Sequence, residues 1–380
     1  MLIENVQVFQ ENCTFMPGKI RIEDGKFAES ENISVQEERV DGEGCYAIPG
    51  LVDLHFHGCV GHDLCDASEE GIQKMAQYEA TVGVTSICPA TMTLPEEVLH
   101  QIMSVAGRYK TKAESKQPRF EAKLAGVHME GPFLSAARKG AQAAEHIRKC
   151  DIQLFRTLQS ASQGMIKLVD VAPEESGAFE FIEQMREEVV ISLAHTEADY
   201  ETASRAFAKG ASHVAHLFNA MPPLNHRNPG VIGAARDASH CHVELICDGV
   251  HVHPSMVRAA FSMFGPERMI LISDSMRATG LNDGWYTLGG QDVCVTGKKA
   301  VLRDGTIAGS VTDLMGCLRT AVLDMGISLE NAVACATMNP AKEIGIFSKC
   351  GSISVGKDAD LVLLDQELNV KAVYVNGIKR

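Results

Sequence analysis

The chain has 380 residues, with 35 Lys and Arg against 49 Asp and Glu, a formal net charge of −14. At 45% hydrophobic and 22% charged residues it carries too much apolar material for a disordered chain and enough for a sizeable core. The acidic balance excludes a general nucleic-acid or membrane-surface binder, because both targets are polyanions, and leaves only a local basic pocket for a small anion.

No apolar run reaches the ~18–20 residues of a membrane span, and the first residues lack the basic start and apolar middle of a secretory signal. The twelve cysteines are scattered, with no C-x-x-C pair, which reads as free thiols in a reducing cytoplasm. In chain order, Leu2 to Phe9 and Lys19 to Glu23 read as strands, followed by a polar loop at 29–32. The end of the chain is similar: Ala359 to Leu364 and Val370 to Val375 are β-rich, with Asn376-Gly377 as a turn signal.

Between these ends, short apolar runs alternate with helical stretches. The runs are Leu51–His55, Val84–Cys88, Lys123–Met129, Ile166–Val171, Val190–Ala194, His213–Leu217, Val243–Cys247 and Met269–Ser273. Helices are predicted over Ser68–Thr81, Pro95–Tyr109, Asp151–Gln159, Tyr200–Lys209 and Pro254–Phe264. Eight βα units over about 250 residues are what a (β/α)8 TIM-like barrel requires. A doubly wound sheet would announce itself with a Gly-rich first turn, and none follows the first run. The predicted architecture is α/β: a catalytic barrel over 51–344, and a small β-sandwich domain built from both termini, 1–50 and 345–380.

Polar residues close these runs. His55 and His57 follow the first, His128 and Glu130 the third, His195 the fifth, His216 the sixth, Asp248 the seventh and Asp274 the eighth. In this barrel the C-terminal strand ends form one mouth, and imidazole with carboxylate suits Zn2+ or Fe2+. A lone His at a strand end is more often a hydrogen-bonded structural residue; the coincidence of six such positions points to a metal site. Gly297-Lys298 imitates a phosphate loop, but Lys299 stands where Ser or Thr is required. No H-E-x-x-H helix or G-x-S-x-G elbow occurs. His62, His100, His146, His226, His240, His242 and His253 read as surface or packing residues.

The segment AIPGLVDLHFHG (47–58) resembles the entry into the barrel of the amidohydrolase superfamily, and GSISVGKDADLVLLD (351–365) resembles the return to its small β-domain. More narrowly, HMEGPF (128–133), LAHT (193–196), AHLFNAM (215–221), DGVHV (248–252) and SDSM (273–276) resemble the N-acetylglucosamine-6-phosphate deacetylase family. The resemblance implies that Glu130, His195 and His216 are metal ligands and that Asp274 is the catalytic acid/base. It implies substrate contacts from Asn219 and Ala220 near a phosphate, from Arg227 on that phosphate, and from Ala141, Gln142, Asp248, Gly249, Val250, His251, Ile307, Ala308 and Gly309. Gln142 stands where some members have His. Some members also lack the pair present here as His55 and His57. One or two divalent ions, Zn2+ or Fe2+, are therefore implied, with two expected, His55 and His57 holding the second.

The implied reaction is metal-dependent hydrolysis of the N-acetyl group of a phosphorylated amino sugar by a cytoplasmic homodimer that uses neither nucleic acid nor membrane. Asp274 would take a proton from water and return it to the departing amine; His251 would help stabilise the oxyanion. The alternatives are a cyclic amidase, a nucleobase deaminase, or a non-catalytic barrel scaffold. Cyclic-amide members use a carboxylated Lys on the fourth strand, whereas Lys167 lies at the start of that run. A scaffold would have lost ligands that are all present.

Overall fold

The structure is a computed structural model that describes residues 1–30, 37–114 and 119–380. The polar loop expected at 29–32 lies partly outside these residues. The chain forms the (β/α)8 TIM-like barrel that its periodicity predicts. The eight barrel strands in order are Leu51–Asp53, Val84–Ile87, the two pieces Lys123–Leu124 and Val127–Met129, Ile166–Val171, Val190–Leu193, His213–Val214, His242–Ile246 and Met269–Ile272. Neighbours pair in parallel from the first to the third strand and from the third to the eighth. The barrel closes between strands eight and one. There the Asp274 amide donates to the His55 carbonyl at 2.9 Å, and the Ser273 hydroxyl donates to the Asp53 carboxylate at 2.5 Å. Burial pushes the Asp53 carboxyl up to about 7, against the Ser273 and His55 hydrogen bonds that favour its charge.

Most strands stop one to three residues earlier than the apolar runs suggest, because the chain must leave the ladder to turn its polar residues into the mouth. The third run divides at Gly126. A Cβ there would lie 2.4 Å from Lys167 Cγ, so the backbone approaches the fourth strand more closely than a side chain permits.

The helices begin where short polar side chains satisfy the first free amides. Ser68 caps Glu69–Thr81, Asp151 caps Ile152–Ala161, Asp199 caps Tyr200–Lys209 and Asp313 caps Leu314–Leu323. His253, read as a surface or packing residue, caps Pro254–Phe264 through its ring. Their apolar faces pack on the barrel: Phe155 and Phe181 are fully buried, with ring centroids 5.5 Å apart at a near-perpendicular tilt. Each such side chain contributes about 1.5–3 kcal/mol by burial, and the edge-to-face contact adds ~0.5–1.5 kcal/mol.

Two features lie outside the eight units. One is a three-stranded antiparallel meander, Gly284–Leu288, Gln291–Thr296 and Lys299–Leu302. Gly297 and Lys298 form its second turn, where the Asp283 carboxylate accepts the Gly297 amide at 3.0 Å. The meander packs Leu288, Val293, Val295 and Leu302 against Met92 and Met276, which carries residues 306–309 to the barrel mouth.

The other is a β unit from both ends of the chain. Its strands run in the order Ile378–Lys379, Val370–Val375, Leu361–Leu364, Tyr46–Pro49, Leu2–Phe9, Phe15–Glu23 and Lys26–Ala28. The sheet forks at Leu2–Phe9, which also pairs with Arg39–Asp41, and its own core holds Ile3, Val6, Ile20, Phe27, Leu361 and Tyr374. Lys123 ties this unit to the barrel, reaching Asp358 at 2.8 Å and Asp360 at 2.7 Å. Among the described residues no helix is long and apolar enough to cross a membrane. All twelve cysteines are free.

Candidate metal centre and active site

Three of the mouth residues are held in left-handed backbone conformations: His195 at φ 44°, His216 at φ 28° and Asp274 at φ 48°. For side chains other than glycine this costs of order 1–3 kcal/mol each and persists only where the surroundings over-determine it. Those constraints are visible. The His216 amide donates to Glu244 at 3.1 Å. Asp274 is pinned on both sides, its amide on His55 and its carbonyl accepting the Ser310 amide at 2.6 Å.

The two histidine backbones aim their side chains at Glu130, which is 3% exposed. Glu130 Oε1 lies 3.0 Å from His195 Nε2, 3.2 Å from His216 Nε2 and 3.6 Å from His55 Nε2. Oε2 lies 3.4 Å from His57 Nε2 and accepts the Gln142 amide at 2.8 Å. His57 Nε2 is also 3.3 Å from Asp274 Oδ1. The donor atoms fall into two compact groups, Glu130 with His195 and His216, and His55 with His57 and Asp274.

The hydrogen bonds decide which imidazole nitrogens are free. His195 Nδ1 faces the Arg138 carbonyl at 2.8 Å, and a carbonyl only accepts, so Nδ1 carries the proton. Nε2 then presents a lone pair to the Glu130 carboxylate. His55 repeats the pattern, with Nδ1 on Glu244 at 2.9 Å and Nε2 without a hydrogen-bond partner. Two lone pairs this close repel unless a proton or a cation lies between them. In the metal-free protein protons do so. Burial pulls the imidazoles of His55, His57 and His195 down, but the facing carboxylates outweigh it and hold all three above their ordinary value. Burial likewise raises Glu130, and His195, His216 and His55 more than reverse it. Imidazole nitrogens and carboxylate oxygens arranged this way fit a divalent ion of the Zn2+ or Fe2+ type.

A third compact group, His55, His128 and Glu244, does not fit an ion. His128 Nδ1 is committed to the Leu54 carbonyl at 3.2 Å and Nε2 to Asp170 at 3.1 Å. No lone pair is left to offer.

A cavity of about 240 Å³ opens over the centre. Ala141, Gln142, Asn219, Ala220, His251, Ile307 and Gly309 line it beside His57, Glu130, His195, His216 and Asp274. Asp248, Gly249, Val250 and Ala308 do not reach its wall. Asp248 acts from behind, accepting His251 Nδ1 at 2.7 Å and the amides of Val250 and His251. Burial lowers the His251 imidazole, but Asp248 raises it further, which favours a proton on the ring. His55 lies beneath the centre, fully buried. Arg227 is exposed on the loop after the sixth strand and stands outside the cavity.

The amidohydrolase family model matches residues 46–379. The chain belongs to the amidohydrolase family. Within it, the chain is 40% identical to the N-acetylglucosamine-6-phosphate deacetylase of Bacillus subtilis (strain 168), over 99% of its own length and 96% of the relative's. It is 33% identical to the N-acetylgalactosamine-6-phosphate deacetylase of Escherichia coli O157:H7, over 94% and 93%. Its fold superposes with a TM-score of 0.91 on an aspartate-to-alanine mutant of N-acetyl-D-glucosamine-6-phosphate deacetylase from Mycobacterium smegmatis, in complex with N-acetyl-D-glucosamine-6-phosphate. That likeness is at 32% identity and covers 100% of this chain and 98% of the other.

Sequence reasoning missed several groups around this amidohydrolase centre. Glu244 and Asp170 each interrupt an apolar strand with a fully buried carboxylate, and that interruption was the signal available. His242 is more than a packing residue, with Nδ1 on Glu343 at 2.8 Å. Met92, Leu288 and Thr306 complete the cavity wall, and their neighbourhood arises only from the meander's packing.

Proposed function

We infer that the chain hydrolyses the amide of N-acetylglucosamine-6-phosphate to glucosamine-6-phosphate and acetate. The observation that carries this reading is the carboxylate of Glu130 facing the Nε2 atoms of four histidines at the floor of a sugar-sized cavity, with Asp274 and His251 on its wall. The full-length likeness to the B. subtilis deacetylase supports the choice of substrate. The test is turnover by metal-loaded protein, read as acetate release from N-acetylglucosamine-6-phosphate and its galacto epimer, as ammonia release from nucleobases and as ring opening of cyclic amides. Turnover should be fastest on the first; a nucleobase or cyclic amide turned over in its place overturns the reading.

A divalent ion, Zn2+ or Fe2+, bound by Glu130, His195 and His216 supplies the Lewis acidity that makes water acidic enough to react at neutral pH. Asp274 takes the proton of the attacking water and later delivers it to the amine nitrogen as the C–N bond breaks. Its carboxylate is ready for this: burial raises it, but the His57 hydrogen bond and the charges of His55, His57 and His251 hold it below its ordinary value. His251, oriented by Asp248, donates toward the carbonyl oxygen as negative charge develops there. Asn219 and Ala220 also line the cavity, where they position the sugar phosphate. Gln142 is held between the Thr93 amide, 2.7 Å from its oxygen, and Glu130, so it aligns the carboxylate as well as bordering the sugar.

We place a second ion with His55 and His57. A His55→Gln/His57→Asn double variant should retain one ion where the native protein, purified with excess Zn2+, retains two. Equal metal content by elemental analysis removes the second site.

Arg227 bears on assembly. Because it stands outside its own cavity, we assign it to the phosphate of a substrate held by a second copy, in a homodimer. Arg227→Ala should lower kcat/KM on the phosphorylated sugar at least ~10-fold, since a charge-assisted hydrogen bond contributes about 1.5–3 kcal/mol. The rate on unphosphorylated N-acetylglucosamine should barely change. Equal losses on both substrates would make Arg227 structural. The division into a barrel of 51–344 and a terminal β domain accords with a separate core for the latter, and twelve free thiols accord with a reducing cytoplasm.

A further inference from the structure

Glu244 sits in the middle of the seventh strand, fully buried, and takes no part in the chemistry above. An ionised carboxylate in a barrel core costs several kcal/mol of desolvation unless its oxygens are well matched. Here they are. Oε2 accepts both His55 Nδ1–H at 2.9 Å and the His216 amide at 3.1 Å. Oε1 lies 3.2 Å from His213 Nε2. The other nitrogen of His213 meets Glu343 at 2.9 Å, and Glu343 in turn meets His242 at 2.8 Å. Carboxylates and imidazoles thus alternate from the floor of the mouth to the partly exposed His242 at the start of the seventh strand.

The consequence lies in what Oε2 touches. By accepting from His55 Nδ1 it fixes the tautomer that leaves Nε2 as the only ligating nitrogen, aimed at Glu130. By accepting from the His216 amide it holds that residue at φ 28°, the conformation that brings His216 Nε2 to 3.2 Å from Glu130. The two histidines belong to different donor groups.

We propose that Glu244 is a positioning residue for both metal groups, one carboxylate oxygen orienting a ligand of each. The proposal rests on the reading of His55 and His216 as ligands. A carboxylate behind a ligating imidazole raises its basicity and locks its ring, and loss of such a partner typically weakens metal binding ~10–100-fold. His213 and Glu343 hold Glu244 in register and touch no ligand side chain.

The experiment titrates metal-free native protein, Glu244→Gln, Glu244→Asp and His55→Gln with Zn2+ against a competing chelator, and records the visible spectra of the Co2+ forms. Glu244→Gln keeps the shape and loses the charge. Glu244→Asp keeps the charge and withdraws it by one methylene. The expected result is two binding steps in the native protein, loss of one in His55→Gln, and a ~10–100-fold weakening of both steps in each Glu244 variant. The Co2+ spectra should shift while the circular dichroism of the metal-free proteins stays native; should one variant fail to fold, the other decides. Two native steps with unchanged constants and spectra in the Glu244 variants overturn the proposal alone. A single native step that survives in His55→Gln overturns the two-group reading, and the proposal with it.

Discussion

Asp274→Asn should lower kcat by ~10²–10⁴, the usual contribution of a positioned general acid–base, while substrate still binds. The backbone there is left-handed, at φ 48°, a conformation that Asn tolerates as Asp does. Its amide bond to His55 and its carbonyl bond to Ser310 involve no side-chain atom. The variant therefore keeps its fold and changes one property: an amide cannot accept the proton of water or return one to the amine. His57 Nε2, now 3.3 Å from Oδ1, can face the amide oxygen instead, so the imidazole cluster keeps its arrangement. Stopped-flow or steady-state acetate release checks the rate, and equilibrium binding of the sugar phosphate checks the site. Turnover within a few-fold of the native protein would show that another group is the base. Lost binding with an unchanged kcat would make Asp274 a substrate contact.

The periodicity of the chain carries the barrel because parallel strands buried on both faces read as continuous apolar runs. Met269–Ile272 is the clearest case, and Ile166–Val171 appears with the bounds expected of it although Lys167 and Asp170 interrupt its run. The histidines were legible for the same reason: a polar residue that ends an apolar run stands out against it. The meander over 284–302 was not, although its alternation and its Gly289-Gly290 turn resemble those of a hairpin. Its strands contact the eight units only through side chains such as Leu288 on Met92, a tertiary fact without local signature. Glu244 was missed because the apolar run Val243–Cys247 satisfies the strand pattern whether or not one position is charged. Arg227 shows a different limit. Its exposure and its distance from the cavity follow from the loop after the sixth strand, and its motif alone does not tell which copy's substrate it faces.

Glu130→Gln should abolish retention of the ion assigned to His195 and His216 and with it at least ~10³ of the acetate-release rate, since without that Lewis acid the pKa of the attacking water returns from ~7 toward ~15.7. The argument turns on Gln142. Its side-chain oxygen is occupied by the Thr93 amide at 2.7 Å, so its NH2 points at Glu130 Oε2 at 2.8 Å. A new amide at position 130 must turn its oxygen to that NH2, and its own NH2 then faces His195 Nε2 and His216 Nε2. The Arg138 carbonyl keeps the His195 proton on Nδ1, so Nε2 accepts a hydrogen bond from the new NH2. The lone pair that would bind an ion is consumed. The variant is well satisfied without metal, and its metal-free form should melt no lower than metal-free native protein, which must keep protons between the imidazoles of His55, His57 and His195 and a buried carboxylate. Elemental analysis after gel filtration should find the variant without the ion that Glu130, His195 and His216 would hold. A variant that keeps its metal content and loses only a few-fold in rate would remove Glu130 from the centre of the site, and leave the histidines to hold the metal without it.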